Sequence, residues 1–272
     1  MNEHTSTSHV SPESRRLKIV EALKCHGERS VEDLAEQFAV SGMTIRRDLQ
    51  ELADDGRVIR TRGGATPAGR VSFEFEFLDR ARRQAREKDQ IAQAAASMVQ
   101  PGQSVLLDSS TTTLAIARRL VMIPGVTVIT TSLPVASELF GREGIDVIIL
   151  GGRLRDGSPD LTGALTENNL EMIRADVAFI GADAIDAAGH IYNSSPEIGR
   201  MLRAMAGAAE RVFAVADHTK LDRHELMRFA QISQWQGLIT DDGVHEEVLR
   251  GLESAGVKVV CASAEGGGRV DA

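Results

Sequence analysis

From Pro101 onward, short apolar runs recur between stretches of helical spacing: Val105–Leu107, Val126–Ile129, Asp146–Leu150, Val177–Ile180, Val212–Val215, Leu238–Ile239 and Val257–Val260. Runs this short suit strands buried on both faces, and strands alternating with helices imply a mostly parallel sheet covered by helices on each side. An α/β domain over 101–263 is therefore expected. Met201, Leu202 and Met205 read as the core stripe of one of its helices.

In open parallel sheets, ligands collect at the carboxyl ends of strands, near the point where strand order reverses. Those ends are polar here. The first strand runs into Asp108-Ser109-Ser110-Thr111-Thr112-Thr113, where five consecutive hydroxyls open a helix. Hydroxyls and free amides at a helix start make a phosphate cradle, although a single hydroxyl would suffice as a cap. The following strand ends bring Thr131 and Ser132, Gly152 and Arg153, Asp183 and Asp186, and then Asp217 and Lys220. Arg153 or Lys220 could add a charge-assisted contact to an anion. Asp183 and Asp186 could hold sugar hydroxyls or serve as turn residues before Gly189, and Asp217 with Lys220 could be a structural ion pair.

The other half of the argument lies in Ser41-Gly42-Met43-Thr44-Ile45-Arg46-Arg47-Asp48-Leu49-Gln50-Glu51-Leu52. Ser41 can cap a helix whose Ile45, Leu49 and Leu52 fall on one face, leaving Thr44, Arg46 and Arg47 outside. Upstream, Glu13–His26 places Leu17, Val20, Leu23 and Lys24 on helical spacing, ended by Gly27. Ser30 with Asp33 opens a second helix that buries Val31, Leu34, Ala35 and Phe38. A helix, a short turn and a second helix form a helix-turn-helix, whose second helix enters the major groove. Val58-Ile59 between Gly56 and Gly63-Gly64 predicts a short two-stranded wing carrying Arg57, Arg60 and Arg62. The candidate DNA-binding set is thus Ser41, Thr44, Arg46, Arg47, Arg57, Arg60 and Arg62. A three-helix scaffold with a solvated charged face is the alternative.

The 272 residues suffice for two domains, and a net charge of −8 requires any nucleic-acid contact to be local. Between Gly56 and Gly69 there are three arginines and no acid. The expected division is a disordered tail 1–12, a winged helix-turn-helix 13–68, a linker and connecting helix 69–100, the α/β domain 101–263 and a flexible tail 264–272. Cys25 and Cys261 lack any CxxC spacing, so reduced, buried thiols are expected. The seven histidines show no metal spacing, and neither a metal nor a cofactor is expected. No apolar run has membrane-spanning length and the first residues are polar, so a cytoplasmic protein without membrane partners is expected.

The pattern Val-Ser-x-x-Thr-Ile-Arg-Arg-Asp-Leu-x-x-Leu, ending in Gly-Gly-Ala, resembles the N-terminal signature of the DeoR family of bacterial sugar-metabolism regulators. The likeness continues through Leu107-Asp108 with Thr111-Thr112-Thr113, Gly151-Gly152, Asp176–Gly181 and Asp217-His218-Thr219-Lys220. The chain departs from the family's usual residues at Ser110, Thr131 and Leu202. The resemblance implies a winged helix joined to a sensor domain similar to ribose-5-phosphate isomerase folds. It further implies operator DNA and a phosphorylated sugar or polyol as partners, and a homodimer or homotetramer. The expected effector set is Asp108, Ser109, Ser110, Thr111, Thr112, Thr113, Thr131, Ser132, Gly152, Arg153, Asp183, Asp186, Glu197, Asp217 and Lys220.

Two functions follow. The first is a repressor of a carbohydrate catabolic operon, relieved by the sugar phosphate. The second is an isomerase-like enzyme with an added DNA-binding module, for which Glu197 would be the base. No lysine lies between Lys88 and Lys220 to stabilise developing charge, which favours a regulator without enzyme activity.

Overall fold

A computed structural model describes residues 11–67, 77, 79–155, 158–263 and 269–270. The chain divides into two compact units, Met1–Glu76 and Phe77–Ala272. In the first, the order is α1 (Pro12–His26), β1 (Arg29–Ser30), α2 (Val31–Gln37), α3 (Gly42–Asp54), β2 (Val58–Arg60) and β3 (Gly64–Pro67). Each helix start follows from its cap. Ser11 accepts from the Ser14 amide, Ser30 and Asp33 form a reciprocal capping box, and Ser41 accepts from the Thr44 amide.

The wing has three strands rather than the two expected, because β1 pairs antiparallel with β3 on the side opposite β2. Gly64 permits this approach: a Cβ there would lie 1.9 Å from the Arg29 carbonyl oxygen. The core gathers Ile19, Leu23, Leu34, Ile45, Leu49 and Leu52, all fully buried. Ile19 takes the place expected for Leu17, which is half-buried, and Ala35 and Phe38 pack only partly inside. The side chain of Lys24 lies outside the described residues.

Through this core runs one ion pair. Arg15 of α1 donates from Nε to Asp48 Oδ2 at 2.6 Å and from Nη2 to Oδ1 at 3.3 Å, with both side chains nearly buried. Asp48 therefore follows the two exposed arginines in sequence but faces the opposite way, locking α1 to α3.

The second unit continues with α4 (Ala85–Ser97), β4 (Ser104–Leu107), α5 (Thr111–Leu120), β5 (Val126–Thr130), α6 (Leu133–Leu139), β6 (Ile145–Ile149), β7 (Arg153–Leu154), β8 (Leu161–Thr162), α7 (Ala164–Glu171) and β9 (Ala175–Gly181). It ends with β10 (Ala184–Ile185), β11 (His190–Asn193), α8 (Pro196–Gly207), β12 (Ala209–Val215), β13 (Met227–Gln231), β14 (Gly237–Asp241), α9 (Glu246–Ser254), β15 (Val259–Ala262) and β16 (Arg269–Val270). All seven expected runs fall in one sheet of order β16-β15-β14-β12-β9-β4-β5-β6, parallel except for β16. One apolar layer includes Ile91, Ile116 and Phe179, and the other Ile180, Met201 and Leu238, so helices cover both faces. The β7–β8 hairpin and the small β10-β11-β13 sheet are additions with no periodic signal in the sequence.

The stretch expected as linker and connecting helix divides. Residues 68–76 lie outside the described ones, and the helical turn at 79–82 and α4 belong to the second unit, where Ile91, Ala92 and Ala95 are fully buried. Of the expected tails, Ser11 caps α1, Pro12 opens it and Arg269–Val270 form β16, while the rest lies outside the described residues. Cys25 is exposed, against the expectation of a buried thiol, because it falls on the solvent side of α1. Among the described residues no helix is long and apolar enough to cross a membrane.

Removing one member of a buried ion pair strands the other, at a cost of about 3–5 kcal/mol. Asp48→Ala should destabilise the first unit by that amount in urea unfolding, and pairing it with Arg15→Leu should recover much of the loss.

Candidate functional site

The sheet reverses its order between β4 and β9. From β4 the chain steps through β5 to β6 on one side, then returns to β9 and continues through β12, β14 and β15 on the other. Asp108, just after β4, sits at this reversal and is buried. Its Oδ2 accepts from the Gly181 amide at the end of β9 at 2.8 Å, and its Oδ1 accepts from the Ser110 amide at 3.0 Å and the Thr113 hydroxyl at 2.8 Å. Burial raises its pKa above the ordinary carboxylate range, with the Ser110 amide and Thr113 hydroxyl opposing. Gly181 is required, since a Cβ there would lie 2.6 Å from the Ser110 Cβ.

A cavity of about 530 Å³ opens beside this knot, wholly within the second unit. Of the expected set, Asp108, Ser109, Ser110, Thr111, Thr112, Asp183, Asp217 and Lys220 line it. Ser110 caps α5 by accepting from the Thr113 amide, which leaves the amides of Thr111 and Thr112 at the helix start without intrahelical acceptors. Lys220 ends a 3₁₀ turn capped by Asp217, and its ammonium makes no ion pair or hydrogen bond among the described residues. Asp217 accepts instead from the Thr219 amide and hydroxyl, so the alternative of an Asp217–Lys220 pair does not hold. Asp183 accepts from the Ser194 amide at 3.2 Å.

The remaining expected residues do not line the cavity. Thr113 turns inward to Asp108, and Thr131 and Ser132 are fully buried after β5, one strand away from the reversal. Ser132 caps α6, while the Thr131 hydroxyl has no hydrogen-bond partner among the described residues. Gly152 packs against α7, where a Cβ would lie 2.1 Å from Thr166 Oγ1. Arg153 donates to Glu197 at 3.1 and 3.3 Å, and Thr162 donates to the same carboxylate at 3.2 Å, so Glu197 is engaged away from the cavity. Asp186 binds the His190 amide, the His190 ring and the Tyr192 hydroxyl, each at 2.9 Å. Partial burial works to raise its pKa, but these partners together hold it below the usual range.

Sequence reasoning missed much of the basic wall: Arg80, Arg83, Lys88, Arg155 and Arg223 also line the cavity. Lys88 donates to the Arg80 carbonyl at 2.6 Å and to the Arg83 carbonyl, and burial lowers its pKa. Both lysines that bound the lysine-free stretch thus reach the cavity. Arg155 is held by two bonds of 3.0 Å to Asp160, a fully buried carboxylate that also accepts from the Ser109 hydroxyl at 2.7 Å. Asn193, Glu225, Ile198 and Leu202 are also among the lining residues, so Leu202 serves both core and cavity. Among the described residues there is no group of three or more His, Cys, Asp or Glu able to hold a metal.

On the first unit, α3 exposes Met43, Arg46 and Arg47, with the Arg47 side chain 83% accessible. Thr44 and Ser41 share a hydroxyl contact of 2.9 Å at the cap. Arg60 reaches back from β2 to Gln50 Oε1 at 3.2 Å, Arg62 is exposed at the tip, and Arg57 is half-buried at the base.

Two domain families match these units, the DeoR-like helix-turn-helix domain over residues 15–69 and the DeoR C-terminal sensor domain over 83–242. The chain belongs to the DeoR family. A putative aga operon transcriptional repressor of Escherichia coli O157:H7 is 34% identical across 90% of this chain and 92% of that protein. The transcriptional regulator GlpR of Haloferax volcanii is 34% identical over 92% and 97%, and the glycerol-3-phosphate regulon repressor of Escherichia coli K12 is 33% identical over 84% and 90%. Among solved structures, ribose 5-phosphate isomerase A of Methanocaldococcus jannaschii aligns at 18% identity over 49% of this chain and 53% of that one, with a TM-score of 0.37. That likeness is too distant to argue from.

In this DeoR-type sensor unit, Thr113→Val keeps the side-chain shape but removes a donor from a buried carboxylate, which costs about 1–3 kcal/mol. Because Asp108's folded pKa is already raised, its contribution to stability is present below about pH 4 and is lost as pH rises through the folded value. Losing the hydroxyl raises that pKa further. The stability gap between Thr113→Val and wild type, measured by thermal melts, should therefore widen as pH rises from about 4 toward neutrality.

Proposed function

We propose that this chain represses a carbohydrate catabolic operon and is released from operator DNA by a phosphorylated sugar or polyol bound in the sensor-unit cavity. The observation that carries this reading is the meeting, at the sheet's reversal point, of the α5 amides, the hydroxyls of Thr111 and Thr112 and the unpaired Lys220. Orphan helix amides and a nearby cation suit a phosphate, while Asp183 and Asn193 in the same cavity suit hydroxyls. The named functions of the relatives, repressors of the aga operon and of the glycerol-3-phosphate regulon, support the same class.

On the first unit, Ser41, Thr44, Arg46 and Arg47 form the face offered to a major groove, and Arg57, Arg60 and Arg62 the wing beside it. An isomerase reading is less well supported. Glu197, the base that reading expects, is committed to Arg153 and Thr162 outside the cavity.

The test is a thermal-shift panel of sugar phosphates, their unphosphorylated sugars and inorganic phosphate. A ligand that binds only the native state at about 100 times its Kd stabilises by about 2.7 kcal/mol. One sugar phosphate should raise the melting temperature of wild type and release it from a duplex selected from a random library. Lys220→Ala should lose both responses and still bind that duplex. A panel in which no phosphorylated compound shifts the melt would sink the reading.

We further propose that the protein acts as a homodimer or homotetramer, since helix-turn-helix units read paired half-sites. Strand β6 supports a second copy as partner. Among the described residues it closes the sheet as an edge, pairs with β5 alone, and leaves Ile148 and Ile149 about half exposed, at 46% and 48%. Antiparallel pairing of two such edges about Val147 would set each Ile145 against the partner copy's Ile149, an isologous contact. Ile148→Lys should shift the species seen in light scattering to lower mass without unfolding the sensor unit.

A further inference from the structure

The arginines on the proposed DNA face are not equivalent in how the protein holds them. Arg60 spends a terminal nitrogen, Nη1, on Gln50 at 3.2 Å. The Arg46 guanidinium meets, among the described residues, a loose ion-pair partner in Glu32 at 4.0 Å through Nη2. Arg47 is different, because it is tethered through Nε alone, to Glu51 Oε1 at 3.3 Å. The other carboxylate oxygen of Glu51 pairs with Arg16 Nη1, a guanidinium from α1 that is 24% exposed. Glu51 thus stands between a cation rooted in another helix and the Nε side of Arg47. Among the described residues neither terminal nitrogen of Arg47 has a hydrogen bond or ion-pair partner.

We propose that Glu51 is the positioning residue for base recognition: it orders the Arg47 guanidinium so that its two terminal nitrogens meet a base edge as a pair. This rests on the reading of the first unit as a DNA binder. A paired contact of arginine to O6 and N7 of guanine needs the planar fork in one orientation. A side chain 83% exposed would otherwise sample many, and ordering it on binding would cost affinity. Glu51 removes that cost at one arginine. It also places a negative charge beside the phosphates, which weakens binding to any duplex irrespective of sequence.

These two effects move in opposite directions when the charge is removed, which separates positioning from a structural role. Glu51→Gln should bind a mixed-sequence duplex more tightly than wild type and discriminate less at one base position. Loss of structure would weaken both together.

The experiment uses the full chain and a randomised duplex library long enough for two half-sites. Selection and sequencing are done for wild type, Arg47→Ala, Glu51→Gln and Arg16→Gln, and melts check folding. Wild type should select a guanine at a defined position of each half-site, and Arg47→Ala should lose that preference. Glu51→Gln should weaken it roughly tenfold, within the range for one paired base contact, while its affinity for mixed-sequence DNA rises. Arg16→Gln keeps the Arg47 tether and should keep the preference. Full discrimination by Glu51→Gln, or a parallel loss of specific and non-specific binding, would overturn the proposal and leave the DNA reading standing. If wild type selects no motif, both fall together.

Discussion

The sensor unit is organised around one buried carboxylate. Asp108 bonds backward to the amide at the end of β9 and forward to the first turn of α5, so it ties the two strands that flank the order reversal to the helix that begins there. Strands on either side of that point leave in opposite directions, and the gap between their following segments is the cavity. Without the Asp108 bonds, the amides of Thr111 and Thr112 would have no fixed direction. The desolvation of this carboxylate is the cost of the arrangement, and the three donors around it offset that cost only in part.

What the amino-acid sequence reveals follows from which constraints are local. The seven sheet strands were legible because each carries a short apolar run, which the strands buried inside the sheet require. The helix starts were legible because Ser30, Ser41 and Ser110 act within three residues of themselves. Strand order is not local. Thr131 and Ser132 sit at a strand end as Ser109 and Ser110 do, but β5 lies one place off the reversal, and nothing in the linear pattern says so. Arg155 was hidden for a different reason: its hairpin has two-residue strands, too short to show any period. Lys88, Arg80 and Arg83 lie in a charged stretch whose pattern is that of a solvated helix. The burial of Lys88 depends on carbonyl groups five and eight residues back.

The same distinction explains the motif that identified the first unit. In Arg46-Arg47-Asp48 the two cations face outward and the carboxylate faces the core, a division set by helical rotation rather than by charge. An acidic protein can carry a basic face in this way, because its acidic side chains are used as internal acceptors. Asp48 takes Arg15 and Glu51 takes Arg16 and Arg47, while the neutral amide of Gln50 accepts from Arg60. Arg15, Arg16, Arg47 and Arg60 are consequently each held by a side chain of α3.

A ligand shifts an equilibrium only through a difference in its affinity for the two states. The cradle at Asp108 is a poor source of such a difference, because the carboxylate at its centre is bonded both to the end of β9 and to the first turn of α5. The wall contributed by residues 80–88 is of another kind. It begins the second unit directly after the segment that joins it to the first. It turns at Gln84, a non-glycine residue at φ 49°, and is closed by Lys88 donating to two carbonyls across that turn. A left-handed conformation at such a residue costs about 1–2 kcal/mol and persists only while its surroundings hold it. The cavity is thus bounded on one side by groups tied to Asp108 and on the other by a wall that turns on a residue held in a strained conformation.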